Sequence, residues 1–205
     1  MAMDGLQDLL HDELKDIYDA EKQLTKALPK LVKKASASEL KEALQSHLEE
    51  TEVHIDRLEQ AFQQLGLPVR GKKCEGMQHL IAEGHDMISE ADDDATRDAV
   101  MIAGAQKVEH YEIASYGTIR TWANLLGKTD VAALFEDTLE EEKEADRKLT
   151  DIAENFVNAE AAAAGTDEDE EEKPRSRGRA RKAIRGSRAM AADRGRRRSG
   201  QPRRD

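Results

Sequence analysis

Seven residues of this chain have types and positions suited to holding metal: Glu21, Glu50, His54, Glu109, Glu112, Glu142 and Asp146. A set so rich in oxygen donors favours Fe or Mn, with Zn able to occupy it in vitro. Spacing singles them out. In the segment around HLEETEVHIDRLE, an apolar stripe runs Leu40, Leu44 and onward to Leu58, Ala61 and Leu65 at three- and four-residue steps. His47, Glu50 or Thr51, and His54 fill the steps in between, where a helix of this period should carry only apolar residues. Three more stripes are broken in the same way. Leu10, Leu14, Ile17, Leu24, Leu28 and Leu31 leave the step at Glu21; Met101, Ala105, Tyr116 and Ile119 turn Glu109 and Glu112 inward; Val131, Phe135, Thr138, Leu149, Ile152 and Phe156 bracket Glu142, with Ala145 or Asp146 one turn on.

The turns between these segments set the height of each acid along its helix. With a turn near Ser36, Glu21 lies 15 residues before it, and Glu50 and His54 lie 14 and 18 after it. With a turn near Lys128, Glu112 and Glu109 lie 16 and 19 before it, and Glu142 and Asp146 lie 14 and 18 after it. At about 1.5 Å per residue all fall roughly 21 to 28 Å from a turn, and so at one level. A buried layer of unpaired carboxylates is strongly unfavourable, and cations among them are the economical remedy. Ferritin-like di-metal sites take one Glu from each of two helices and a Glu-x-x-His pair from each of the other two. Here both pairs, Glu50 with His54 and Glu142 with Asp146, are spaced by four, which still puts them on one face. The expectation is two ions bridged by Glu50 and Glu142, with Glu21 and Glu109 terminal and His54, Glu112 and Asp146 completing the set. His47 reads as a core histidine orienting Glu50, or as a ligand. Tyr18 and Tyr116 read as packing residues whose hydroxyls reach the site.

The elements that must position these residues follow from the same patterns. The first long helix is expected over 5–35, with Pro29 bending or breaking its last turns. Ser36–Ser38 offers an N-cap to a second helix over 39–65, which Gly66 and Pro68 close. A shorter amphipathic helix is expected over 74–91; Asp92–Asp94 then cap a third long helix over 95–126, and a fourth runs from Thr129 or Asp130 to about Ala159. Two hairpins joined by a long crossover make an all-α, ferritin-like antiparallel four-helix bundle with an extra short helix between helices two and three. Aromatic residues at 3% and charged residues at 37% agree with long helices and argue against sheets.

Residues 1–160 are thus read as the bundle and 161–205 as a disordered tail with an acidic block followed by an Arg-rich segment. From Pro174 onward thirteen Lys and Arg face two Asp, a net +11, so residues 1–173 carry −22 of the total −11. Such a tail suits nonspecific contact with nucleic-acid phosphates, or a solvated segment lying on the acidic body. No window is apolar enough to span a membrane, and the start lacks the basic and apolar regions of a secretory signal, so a cytoplasmic protein is expected. Cys74 has no second cysteine and is expected as a free thiol.

The strings YDAEKQLTKALPKL, SHLEETEVHIDRLEQ, KKCEGM, AQKVEHYEIASYGTI and TLEEEKEADRKLTDIA, in this order, resemble the YciF/YciE family of ferritin-like bacterial stress-response proteins. The resemblance covers about residues 5–158 and leaves out the tail. It implies a dimeric bundle with a dinuclear metal centre, in which Glu21, Glu50, Glu109, Glu112, Glu142 and Asp146 are characteristic and position 54 carries Gln in relatives. The function expected is a stress-response metalloprotein whose Fe or Mn pair reacts with dioxygen or peroxide. The alternative is a non-enzymatic stress protein that binds nucleic acid through residues 174–205.

Overall fold

Every interrupted stripe forms a helix in the computed structural model, which describes residues 4–170. The order is α1 (Leu6–Lys34), α2 (Ser38–Gln64), α3 (Glu75–Glu90), α4 (Asp94–Leu125), α5 (Thr129–Ile152), a π-helical turn (Ala153–Val157) and α6 (Asn158–Glu170). The four long helices expected from the pattern are α1, α2, α4 and α5. α1 packs on α2 and α4 on α5, each pair joined by a short turn; α2 also packs on α5 and α1 on α4, closing a four-helix bundle. α3, carried on the crossover, lies against α4 and α1. The architecture is the ferritin-like one that the stripes predict, and no strand occurs among the described residues.

Two helix ends are fixed by glycine. Gly66 and Gly127 take φ of 67° and 70°, a conformation that costs a Cβ-bearing residue energy. Each closes a Schellman motif: Leu67 N donates to Phe62 O at 2.9 Å and Gly66 N to Gln63 O at 3.0 Å, and Lys128 N donates to Ala123 O at 2.8 Å and Gly127 N to Asn124 O at 3.0 Å. The start of α2 departs from the sequence expectation. No side chain of Ser36–Ser38 caps it. The turn before it is braced from α4 instead, where buried Asp98 accepts from Ser36 N at 2.9 Å and from Ala37 N at 2.6 Å. Asp93 caps α4 as expected, accepting from Thr96 N at 2.8 Å. Pro29 sits within α1 without ending it, and α1 continues to Lys34.

Leu10, Leu14 and Ile17 on α1, Leu40, Leu58 and Phe62 on α2, Ile119 and Tyr116 on α4 and Phe135 on α5 form the dry core. Each contributes about 1.5–3 kcal/mol by leaving water. Phe156 is a correction. The periodic stripe places it inside, yet it is 52% exposed while Val157 is buried. The π-helical turn spaces Val157 five residues after Ile152, one more than an α-helical step, so the inward position passes from Phe156 to Val157. The last helix is described to Glu170, so the acidic block begins within it; the rest of the expected tail, residues 171–205, lies outside the described residues.

Candidate metal centre

The interruptions in the four stripes meet in the middle of the bundle. α1 supplies Glu21, α2 His47 and His54, α4 Glu109 and Glu112, and α5 Glu142, all buried. They fall into two ligand groups, His47–Glu109–Glu112–Glu142 and Glu21–His54–Glu142; in each, one donor atom per residue lies within 4.8 Å of every other. Glu142 belongs to both.

Helix geometry explains the membership. His47 and His54 are seven residues apart, two turns of α2, and therefore share a face. Glu109 and Glu112 are three apart, and both are buried because α4 is packed by α1, α3 and α5. Glu50 does not join them. Three residues turn a helix by about 300°, so Glu50 falls about 60° off the His47 line. Its side chain is 40% exposed and its nearest site contact is His47 Nδ1 at 3.7 Å. The inward step belongs to Thr51, which is buried and donates its hydroxyl to His47 O at 2.8 Å. Asp146, expected beside Glu142, also lies outside both groups: it accepts from Gln106 Nε2 at 3.1 Å and is half-buried between α4 and α5.

The surrounding contacts orient the ligands. His54 Nδ1 faces inward, 3.0 Å from Glu142 Oε1 and 3.5 Å from Glu21 Oε1, while its Nε2 faces Glu141 Oε2 at 2.9 Å. Glu141 is held in turn by Arg57, through Nη2 at 3.0 Å and a shorter contact from Nη1, and Arg57 Nη1 also donates to Thr138 Oγ1 at 2.9 Å. A carboxylate on the outer nitrogen of an inward-facing imidazole is the usual support of a metal-bound histidine. Sequence reasoning missed this role for Glu141, although it stands beside Glu142 in the run Glu140–Glu142. The hydroxyl of Tyr116 donates to Glu21 Oε1. Tyr18 does not reach the site; it donates to Glu59 Oε1 at 2.7 Å.

Electrostatically the layer is crowded with protons. Burial, then the neighbouring carboxylates Glu142, Glu21 and Glu109, push Glu112 well above the usual carboxylate range. Burial also raises Glu109 and Glu142 against the opposing pull of His47 and His54 respectively. Burial pulls His54 down, but Glu142 and Glu21 overcome it and hold the imidazole at about 11. His47 is likewise raised: burial lowers it and Glu109, Glu50 and Glu21 more than offset the loss.

The site passes a direct test of fit for cations. Ten buried side-chain polar atoms have no hydrogen-bond partner among the described residues, and all but His11 Nε2 belong to this layer: Glu21 Oε2, both His47 nitrogens, His54 Nδ1, Glu109 Oε2, and both oxygens of Glu112 and Glu142. Buried polar atoms are normally satisfied, and so dense a cluster of exceptions, all on types that ligate metals, fits a site able to take a cation.

A family profile described as a domain of unknown function, DUF892, matches residues 5–162. The chain belongs to the DUF892 family. Protein YciF of Escherichia coli K12 is 47% identical over 162 residues, spanning 78% of this chain and 98% of its own. The crystal structure of that stress protein superposes with a TM-score of 0.73, covering 76% of this chain and 99% of YciF. YcfI from Rhodopseudomonas palustris, described as a candidate structural protein, is 44% identical with a TM-score of 0.71, over 72% of this chain and 94% of its own. A Xanthomonas campestris protein at 23% identity shares the DUF892 chain's fold, with a TM-score of 0.62 over 78% and 99% of the two chains. No described helix of this DUF892 protein is long and apolar enough to cross a membrane.

Proposed function

We propose that this protein is a ferritin-like stress-response metalloprotein whose buried layer holds two metal ions, Fe or Mn, that react with dioxygen or a peroxide. The membership of Glu142 in both ligand groups carries the reading, since one carboxylate common to two sets is the arrangement of a bridged pair. His47, Glu109 and Glu112 would hold one ion, and Glu21 and His54 the other. Bound Fe or Mn would supply the redox capacity toward oxygen species. The chain's own part is to keep the layer dry, to fix His54 through Glu141 and Arg57, and to hold a hydroxyl proton of Tyr116 against Glu21. The description of YciF as a stress protein supports the physiological setting, and a homodimer in the cytoplasm is part of the proposal.

Metal analysis of the purified protein tests it. Two ions per chain are expected in the wild type and near none in Glu142→Ala, with Glu50→Ala and Asp146→Ala close to wild type. Fewer than one ion per chain in the wild type, or full loading of Glu142→Ala, overturns the reading.

A second reading rests on the +11 of residues 174–205. In it the tail binds nucleic acid nonspecifically, with an affinity that falls steeply with salt. Full-length protein is expected to shift DNA in a gel at low salt and a chain ending at Ala164 is not; equal behaviour of the two sinks this reading.

A further inference from the structure

Beside the metal layer the bundle encloses a cavity of about 670 Å³, lined by all five helices from α1 to α5. That volume is in the range of pockets that hold small organic ligands, about 300–1,000 Å³. Its wall is apolar, with Leu28, Leu31, Leu44, Ile81, Ile88 and Met101 among the lining residues. Its charged lining falls into two groups. Next to the ligand layer stand His47 and Glu109, with the partly exposed Glu50 beside them. Towards the end of α1 stand Lys30, Lys33 and Lys34, and Lys148 stands on α5; all four line the cavity, are exposed and are in no ion pair among the described residues. The acids that also line the cavity are already engaged, Glu141 by Arg57 and Glu144 by Arg147.

We propose that this cavity binds an aliphatic carboxylate, with its chain along the apolar wall and its head among Lys30, Lys33, Lys34 and Lys148. The lysines set the orientation: beside them a carboxylate meets exposed cations without counter-ions, whereas against the ligand layer it would have to shed its water next to buried Glu109. Length agrees with a medium chain. From Leu24 to Lys34 the lining residues of α1 span ten positions, about 15 Å of helix axis. The wall also leaves room where a side chain is missing. Gly84 lies in the inward stripe of α3 between Ile81 and Ile88, lines the cavity, and a Cβ placed there meets no heavy atom within 4 Å. Occupancy requires no metal, so the proposal stands or falls apart from the reading of the metal layer.

Calorimetric titration of full-length protein, before and after chelator treatment, with decanoate and with neutral decanol tests it. Decanoate is expected to bind saturably, one per chain, in both preparations. Reversing lysine charge with Lys33→Glu and Lys34→Glu together should weaken decanoate about tenfold, the loss of one charge-assisted contact of about 1.4 kcal/mol, and leave decanol unchanged. Gly84→Phe, which fills the cavity and removes a helix-weakening glycine, should abolish binding of both. No saturable decanoate binding to wild type, unchanged binding to Gly84→Phe, or equal effects of charge reversal on acid and alcohol would overturn it. So would light scattering that shows a wild-type dimer falling to monomer in Gly84→Phe, since a second copy would then be the occupant.

Discussion

Tyr116 on α4 donates its hydroxyl proton to Glu21 on α1, across the centre of the bundle. Both side chains are fully buried, and the other oxygen of Glu21 has no hydrogen-bond partner among the described residues. The contact therefore holds one oxygen of a candidate ligand carboxylate, the same Oε1 that lies 3.5 Å from His54 Nδ1, and leaves Oε2 without a partner.

Replacing Tyr116 by Phe should remove that hold at almost constant volume. Leaving a buried acceptor unpaired costs about 1–3 kcal/mol, so Tyr116→Phe should lose that much stability when metal-free. Urea unfolding with and without bound metal measures it. A variant as stable as wild type in the metal-free state would show that the contact carries no net energy.

Glu141 touches no other ligand of the two groups, yet it faces the outer nitrogen of His54. Glu141→Gln should keep the fold and weaken metal binding by about 10–100-fold, the usual effect of removing such a support. Competition with a chelator of known strength reads this directly, and an unchanged affinity would place Glu141 in surface pairing with Arg57 alone.

Glu109, Glu112 and His54 hold protons more tightly folded than unfolded. The two carboxyls lie well above their ordinary 4.5, and the imidazole is at about 11 in place of 6.5. At these three groups the metal-free native state therefore binds more protons than the unfolded chain once pH rises past each group's ordinary value, and the stability they contribute should fall as pH climbs towards the folded one. The share from His54 is complete below 6.5 and is lost as pH climbs through 11. Metal must displace the same protons, so adding Mn should acidify a weakly buffered solution and apparent affinity should increase with pH. Denaturation curves of chelated protein across pH, with an indicator dye during Mn addition, test both; stability that rises with pH would contradict the account.

Asp98 supports the α1–α2 turn from α4, accepting from Ser36 N and Ala37 N. Asp98→Ala leaves two turn amides without their acceptor and should cost about 1–3 kcal/mol, with a lower Tm in thermal melts. Ser36→Ala and Ser38→Ala should be near neutral, the reverse of what the local sequence suggests.

Much of this was legible in the chain because long amphipathic helices advertise their inner face. Glu21, Glu109, Glu112 and Glu142 each stand where a stripe demands an apolar residue, and the structure buries all four. The errors come from places where one helix's own periodicity is not decisive. Glu50 and His47 both stand near the inward face of α2, and which of the two turns inside depends on how α1 and α5 pack against it. Tyr18 and Tyr116 look alike in sequence, but Glu59 captures the first and Glu21 the second. Asp98 holds the amide of Ala37, 61 positions before it, a contact no local pattern announces. Glu141 was hidden by its exposure, since only the position of His54 gives it a task.

The π-helical turn at Ala153–Val157 acts as an expansion joint. It takes up one surplus residue inside a single loop of backbone, so the chain beyond it keeps the facing it would have had without that residue. Deleting Asn155 should accordingly close the turn to ordinary α-helix and leave Val157 docked, whereas inserting one residue should swing that aliphatic side chain out to solvent and lower the melting temperature.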